Sequence, residues 1–162
     1  MGMRNEFRHM QNCDIRKSLD ERWPDKSFHI VVACWDIALD HRQYTHCGEH
    51  TQIIRACIET IDLPSLMKQC RMAAFLLWAS GHATVRVMCI CDGGMMNSVA
   101  VAASLNGVFV QDGFNSSGPH HLSKPGWFPT MCSNCKDCGP SWKKDVLFTA
   151  VRADFIRAQW LC

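Results

Sequence analysis

The sequence predicts a small α/β fold, in which a small parallel or mixed sheet carries packed helices and a zinc-bound loop lies near the C-terminus. Two apolar runs, 28–34 and 84–91, have the length and the β-branched content of buried strands. Helical patterns of apolar residues lie between these runs and after them. Alternation of buried strands with helices is typical of α/β domains.

Length and composition limit the class of protein. The chain has 162 residues, enough for one domain with its own core. Its hydrophobic fraction of 48% and charged fraction of 20% exclude bulk disorder. The net charge of +2 argues against nucleic-acid binding driven by overall charge, although a local basic patch is compatible with it. No apolar stretch could cross a bilayer and no secretory signal is visible, so we expect an intracellular protein, cytoplasmic or nuclear, without membrane contact.

The N-terminal part of the chain has two predicted regions. Residues 1–26 are polar and charged, and we expect a weakly ordered arm there. The single α/β domain follows over 27–162 and opens with the first strand. Residues 37–50 show little apolar periodicity and are predicted to form a loop.

Two helices are predicted to connect the first strand to the second. Apolar residues from Ile53 to Ile61 recur on one helical face, and Thr51 is a suitable N-cap for this helix. Pro64 suits the first turn of the next helix, and Gly81 suits its C-terminal end. A long crossover of this kind joins neighbouring parallel strands.

The remainder of the chain is predicted as helix, short strand, long loop and terminal helix. Small apolar residues over 98–105 suit a helix packed closely on a sheet, and Asn106-Gly107 is expected to end it. The run 108–110 is predicted as a third strand. A loop rich in glycine, proline, serine and histidine covers 111–130, and the terminal helix runs over 145–161.

The turn after the second strand has the composition of an anion-binding loop. Cys91 ends the strand, Gly93 and Gly94 allow a tight turn, and Ser98 opens the next helix. Backbone N–H groups in such a turn, with the positive end of the helix dipole, bind phosphate. Asp36, at the end of the first strand, is predicted at the same sheet edge, where open α/β folds bind ligands. The alternative is a tight turn that binds nothing.

The spacing of this loop matches the Cys-x5-Arg loop of protein tyrosine phosphatases except at one position. Asn97 stands where those enzymes have the arginine that holds the phosphate and stabilises the transferred charge. No basic residue lies between Cys91 and Ser98, and Asp92 adds a negative charge. We therefore expect a degenerate anion site, a pseudo-enzyme, because a working phosphatase would need an arginine from elsewhere, such as Arg42.

The stretch from Cys91 to Ala102 resembles a loop in the C-terminal domain of the RapZ family of RNase adapter proteins. Roughly residues 28–125 are covered by the resemblance, which implies an α/β domain that binds a phosphorylated amino sugar and takes part in RNA-linked regulation. The P-loop motif of the family's kinase-like domain is absent from the sequence. The matched residues are Cys91, Gly93, Gly94, Ser98, Val99 and Ala100, and the family's three basic positions are Met95, Met96 and Asn97.

Three of the eleven cysteines have metal-ligand spacing. Without an export signal, we expect core residues, metal ligands or reactive thiols rather than disulfides. Cys132, Cys135 and Cys138 lie in a hydrophilic loop at about 120–140 and have the Cys-x2-Cys spacing of zinc sites. His121, in the same loop, is the predicted fourth ligand. An iron–sulfur cluster and unligated thiols are the alternatives.

A second group of histidines lies in the loop before the first crossover helix. We expect such loop histidines to be solvated rather than ligating. Cys47, which lies among them, is the next candidate for the fourth zinc ligand after His121. The histidines are His41, His46 and His50.

Together these observations favour a non-catalytic module that binds a small phosphorylated ligand or a protein partner and holds a structural zinc ion. One alternative is a Cys-dependent phosphatase-like enzyme with Cys91 as its nucleophile. The other is an RNA-associated regulatory adapter with these basic contacts: Arg86, Lys124, Lys136, Lys143 and Lys144.

Overall fold

The structure, a computed structural model, confirms the α/β class, with five helices and two strands among the residues that it describes. None of the described helices is both long enough and apolar enough to cross a membrane. The elements are α1 (Asn12–Arg22), β1 (Ile30–Ala33), α2 (Thr51–Ile58), α3 (Leu63–Ala79), β2 (Val87–Ile90), α4 (Asn97–Gln111) and α5 (Trp142–Trp160). The described residues are 10, 12–24, 26–35, 37, 46–60, 63–92, 94–122, 135–138 and 142–160.

The described part of the sheet consists of β1 and β2, which pair in parallel. The register places Ile30 opposite Val87 and Ala33 opposite Ile90. Parallel neighbours need a long crossover, and α2 and α3 supply it as the sequence predicts. Because two strands alone are marginally stable in water, the helices on the two faces must supply most of the packing.

The main core lies between one face of the sheet and helices α2, α3 and α4. Val32 of β1 packs there with the fully buried residues Ile53 and Leu63. Cys57 and Cys70 belong to the same core, and burial raises the pKa of each thiol to about 12. Both thiols are therefore neutral at pH 7 and pack as small apolar side chains.

Helix α1 covers the other face of the sheet and corrects the expectation of a weakly ordered arm. Ile15 and Leu19, one helical turn apart, are buried together with Ile90 of β2. The Arg16 guanidinium donates to the carbonyl of His29 at 3.1 Å, just before β1. Two apolar residues among many charged ones are too few to give the sequence of α1 a helical apolar periodicity, so the sequence alone does not predict this helix. The division of the chain at residue 26 stays a prediction.

The third strand predicted over 108–110 is wrong, because α4 continues through this run to Gln111. Val108 is buried whereas Val110 is 50% exposed, as expected for one helix with a single packed face. Gly107 does not end the helix. A Cβ at this position would lie 2.3 Å from Cδ2 of Phe148, so the glycine makes room for the buried aromatic ring of α5.

A buried carboxylate joins the three longest helices. Asp112, the C-cap residue of α4, accepts from Nε of Arg71 on α3 at 2.6 Å. It also accepts from Nε of Arg152 on α5 at 2.8 Å. The Asp112 side chain is only 4% exposed, so the two guanidinium groups replace the water that it loses on folding.

Replacing Gly107 by alanine is expected to lower the free energy of unfolding by about 1–3 kcal/mol, the usual cost of overpacking. In an open helix the same change stabilises by roughly 0.5–1 kcal/mol, so the sign of the effect reports the contact with Phe148. Urea unfolding of the wild type and of the Gly107→Ala variant measures the sign and the size of the change. In a Phe148→Ala background the Gly107→Ala change should no longer destabilise, and stabilisation in the wild-type background would contradict the packing.

Candidate metal centre and the Cys91 loop

A short segment, residues 46–50, is pressed against the first turn of α4. The Gly48 N–H donates to the Met95 carbonyl at 2.9 Å. A Cβ at Gly48 would lie 2.2 Å from the Met96 carbonyl oxygen and 2.6 Å from the Ala100 nitrogen. Only glycine permits this approach, which fixes the histidines on either side of it.

Two histidines of this segment meet Cys135, and Cys138 lies next to one of them. The ligand atoms of His46, His50 and Cys135 all lie within 4.8 Å of one another. Cys138 Sγ lies 3.7 Å from His46 Nδ1. Tetrahedral zinc, with Zn–S of about 2.3 Å and Zn–N of about 2.0 Å, would hold a sulfur and a nitrogen about 3.5 Å apart. The spacing therefore suits a metal ion, and thiolate and imidazole ligands suit zinc better than magnesium or calcium.

The cysteines are held in place by the turn over 135–138. The Cys138 N–H donates to the Cys135 carbonyl at 3.3 Å, which closes the turn. Lys144 of α5 donates to the Cys138 carbonyl at 3.0 Å, and Lys143 Nζ lies 3.6 Å from the Asp137 carboxylate. These lysines also bring positive charge to the neighbourhood of the thiols.

His50 also starts helix α2. Its Nδ1 accepts the backbone N–H of Gln52 at 3.2 Å, so His50, and not Thr51 as predicted, is the N-cap. Thr51 is the first helical residue and donates to the Asp137 carbonyl at 3.5 Å. Burial lowers the pKa of His50, and His46 lowers it further, while Asp137 acts in the opposite direction. The ring is therefore neutral at pH 7, which is the form that binds metal ions.

The cap and a metal bond compete for the ring nitrogens of His50. With Nδ1 accepting from Gln52, the neutral ring carries its proton on Nε2. A metal bond through Nε2 moves that proton to Nδ1, and a bond through Nδ1 displaces the N–H directly. The cap is worth about 1 kcal/mol, whereas structural zinc contributes about 10–16 kcal/mol. A bound metal ion would therefore displace the cap.

The structure places some of the predicted metal ligands near the histidines and others elsewhere. Cys135 belongs to the histidine-containing group, and Cys138 lies beside it. His121 Nε2 lies 2.7 Å from Glu49 Oε1, so this side chain is engaged elsewhere. Cys132 lies outside the described residues. The expectation of solvated loop histidines is wrong for His50, which is only 7% exposed.

The Cys91 loop is closed by side-chain hydrogen bonds. The Cys91 thiol donates to Ser98 Oγ at 3.1 Å. Asn97 is 3% exposed, and its Nδ2 donates to the carbonyls of Cys34 at 3.1 Å and Ile37 at 2.8 Å. The amide of Asn97 therefore ties the loop to the chain that leaves β1.

These contacts favour a structural turn over a catalytic loop. The amide that replaces the phosphatase arginine is directed at two backbone carbonyls, and Gly48 packs against the first turn of the helix that would bind the anion. Gly94 has φ of +58°, as expected of glycine in a tight turn. Anion binding by Gly94 and Ser98 stays a prediction, and Gly93 and Asp36 lie outside the described residues.

Comparisons of the chain with protein-family models, with curated proteins and with solved structures find no match. The resemblance to the RapZ family stays a prediction that rests on the residues of the Cys91 loop.

Replacing Asn97 by aspartate is expected to lower the free energy of unfolding by about 2–4 kcal/mol. The change removes both N–H donors and places a buried carboxylate against two carbonyl oxygens. Asn97→Leu loses the same hydrogen bonds without adding charge and should cost less. Denaturant unfolding of the wild type and the two variants at pH 7 measures their order of stability. An aspartate variant as stable as the wild type would contradict the structural role of Asn97.

Proposed function

We propose that the protein is a non-catalytic binding module whose α/β domain is held together by a structural zinc ion. The observation that supports this most directly is the group of His46, His50 and Cys135, whose ligand atoms lie within 4.8 Å of one another. Thiolate and imidazole side chains are the ligands of structural zinc sites, and His50 of this group is buried.

Four side chains would complete a tetrahedral zinc site. Cys138 adds a second thiolate to the thiolate of Cys135, and His46 and His50 supply two neutral imidazoles. Two thiolates cancel the charge of a divalent ion, which lowers the cost of burying it. A closed shell of four protein ligands leaves no position for substrate, as in structural zinc sites.

The ion would join two distant parts of the chain. His46 and Cys138 are 92 positions apart in the sequence, one before α2 and the other just before α5. Structural zinc contributes about 10–16 kcal/mol, which is comparable with the whole stability of an ordinary domain at about 5–15 kcal/mol. We therefore expect zinc to fix α5 against α2 and α4, while the sheet packs on α1 and α3 without it.

Metal content tests this proposal through its ligands. The purified protein should contain one zinc ion per chain, and His46→Ala or Cys135→Ser should reduce this to below about one tenth, because each change removes one of the four proposed ligands. His121→Ala and the exposed-site change His120→Ala are the matched controls and should keep full occupancy. Elemental analysis by mass spectrometry gives the stoichiometry.

Three results would overturn the zinc assignment. One is the absence of metal in protein purified without chelators. Another is iron with visible charge-transfer absorption, which indicates a cluster. The third is full zinc in His46→Ala with zinc lost in His121→Ala, which would restore the ligand set that the sequence predicts.

A phosphatase assay tests the non-catalytic part of the proposal. We expect no turnover of an aryl phosphate above background, because no cation of the loop is available to neutralise the phosphoryl group that Cys91 would attack. Cys91→Ser is the control. Turnover that disappears in this variant would contradict the proposal and favour the phosphatase-like alternative.

A further inference from the structure

Among the described residues, strand β2 has one edge hydrogen-bonded to β1 and one edge without a backbone partner, called the open edge. The Cys34 N–H donates to the Ile90 carbonyl at 2.8 Å, so Ile90 presents its backbone groups to β1. Backbone groups alternate in direction along a strand, so the N–H and C=O groups of Val87 and Cys89 point away from β1. Within the described residues, no backbone hydrogen bond reaches these groups from another segment.

A groove of about 1550 Å³ lies along this open edge. All of β2 and all of the segment 112–122 line it, together with parts of α3 and α4 and with Cys91 and Gly94 of the Cys91 loop. It is larger than the roughly 300–1,000 Å³ of small-molecule pockets, so an extended chain fits it better than a metabolite does. Apolar side chains of the two helices and the strand face it, among them Val87, Val99, Ala102 and Leu105.

The groove carries an excess of positive charge. Asp112 is the only carboxylate among the described lining residues, and the guanidinium groups of Arg71 and Arg152 already neutralise it. Within the described residues, no ion pair engages the three other cations of the lining. These are Lys26, Lys68 and Arg86. An occupant with negative charge would therefore be attracted to the groove.

We propose that an extended acidic segment of a partner protein binds in this groove as a third strand beside β2. Its backbone pairs with the outward groups of Val87 and Cys89, one set of its alternate side chains enters the groove, and its negative charge is attracted by the three cations. At about 3.3 Å per residue, β2 has length to pair with four to five residues of the partner. The inference rests on the proposed binding function but not on zinc.

Two features favour a peptide over a nucleic acid. The open edge offers backbone hydrogen bonds in the spacing of a strand, which a sugar–phosphate chain cannot match. The lining is also mostly apolar, whereas single-stranded nucleic acid needs a basic track along its whole backbone. The exposed rings of Phe75 and Trp78, with centroids 5.7 Å apart, line the groove and could stack bases, so an oligonucleotide belongs in the test.

The probe is a fluorescein-labelled decapeptide of alternating valine and glutamate, titrated with the zinc-loaded full chain and followed by fluorescence anisotropy. We expect a dissociation constant on the order of 10 μM. A peptide of alternating valine and lysine should bind at least tenfold more weakly. Lack of binding up to about 1 mM, or equal binding of the lysine peptide, would overturn the proposal.

Backbone methylation tests the strand pairing itself. In an extended peptide, the N–H groups of the valines point to one edge and those of the glutamates to the other. N-methylation of one set should weaken binding at least tenfold, and methylation of the other should change it less than threefold. Equal effects of the two methylated peptides would contradict addition to β2.

Charge reversal locates the site on the protein. The double variant Lys26→Glu, Lys68→Glu should bind the acidic peptide at least fivefold more weakly. The double variant Lys17→Glu, Arg55→Glu changes the net charge equally at exposed positions outside the groove lining and should bind within twofold of the wild type. Equal losses in the two variants would overturn the groove assignment.

An oligouridylate of ten nucleotides completes the test. The oligonucleotide and the unlabelled peptide are compared as competitors of the labelled peptide. If the oligonucleotide displaces it at the lower concentration, the groove is a nucleic-acid site and the proposal is overturned. If the peptide does not bind although the protein contains zinc and shows no phosphatase turnover, this inference is wrong and the proposed function stands. Phosphatase turnover or absence of zinc would remove the proposed function independently.

Discussion

The approach of Gly48 to the first turn of α4 is the contact on which both candidate sites depend. A side chain at this position would lie 2.2 Å from the Met96 carbonyl oxygen, so the approach needs glycine. The contact fixes His46 and His50, which flank it, where the turn of Cys135 can meet them. The same contact places backbone against the helix end that would otherwise bind an anion.

The carboxyl end of the sheet is therefore narrowed by the chain itself, while Cys91 and Gly94 still line the groove beside β2. Asn97 hydrogen-bonds the carbonyls of Cys34 and Ile37, and Gly48 hydrogen-bonds the Met95 carbonyl. Open α/β folds usually bind ligands at this end of the sheet. Here the groove that all of β2 lines offers accessible space, and the partner proposed for it is an extended acidic segment.

Local patterns predict much of this fold, and long-range contacts explain what they miss. The two strands and the crossover helices follow from apolar periodicity, but residues 108–110 suit a strand or a helix equally until Phe148 packs on Gly107. The Cys-x2-Cys spacing is local and visible in the sequence. The approach of these cysteines to His46 and His50 depends on the tertiary contact of Gly48. That contact cannot be recognised from the spacing of residues along the chain.

X-ray absorption at the zinc K-edge of the purified protein tests the metal centre most directly, because it counts the ligands by element. The ligand set His46, His50, Cys135 and Cys138 predicts two sulfur atoms at about 2.3 Å and two nitrogen atoms at about 2.0 Å. In His46→Ala protein the zinc edge itself should fall with the zinc content, to below about one tenth of the wild-type signal. Three sulfur atoms with one nitrogen, unchanged in that variant, would contradict the account.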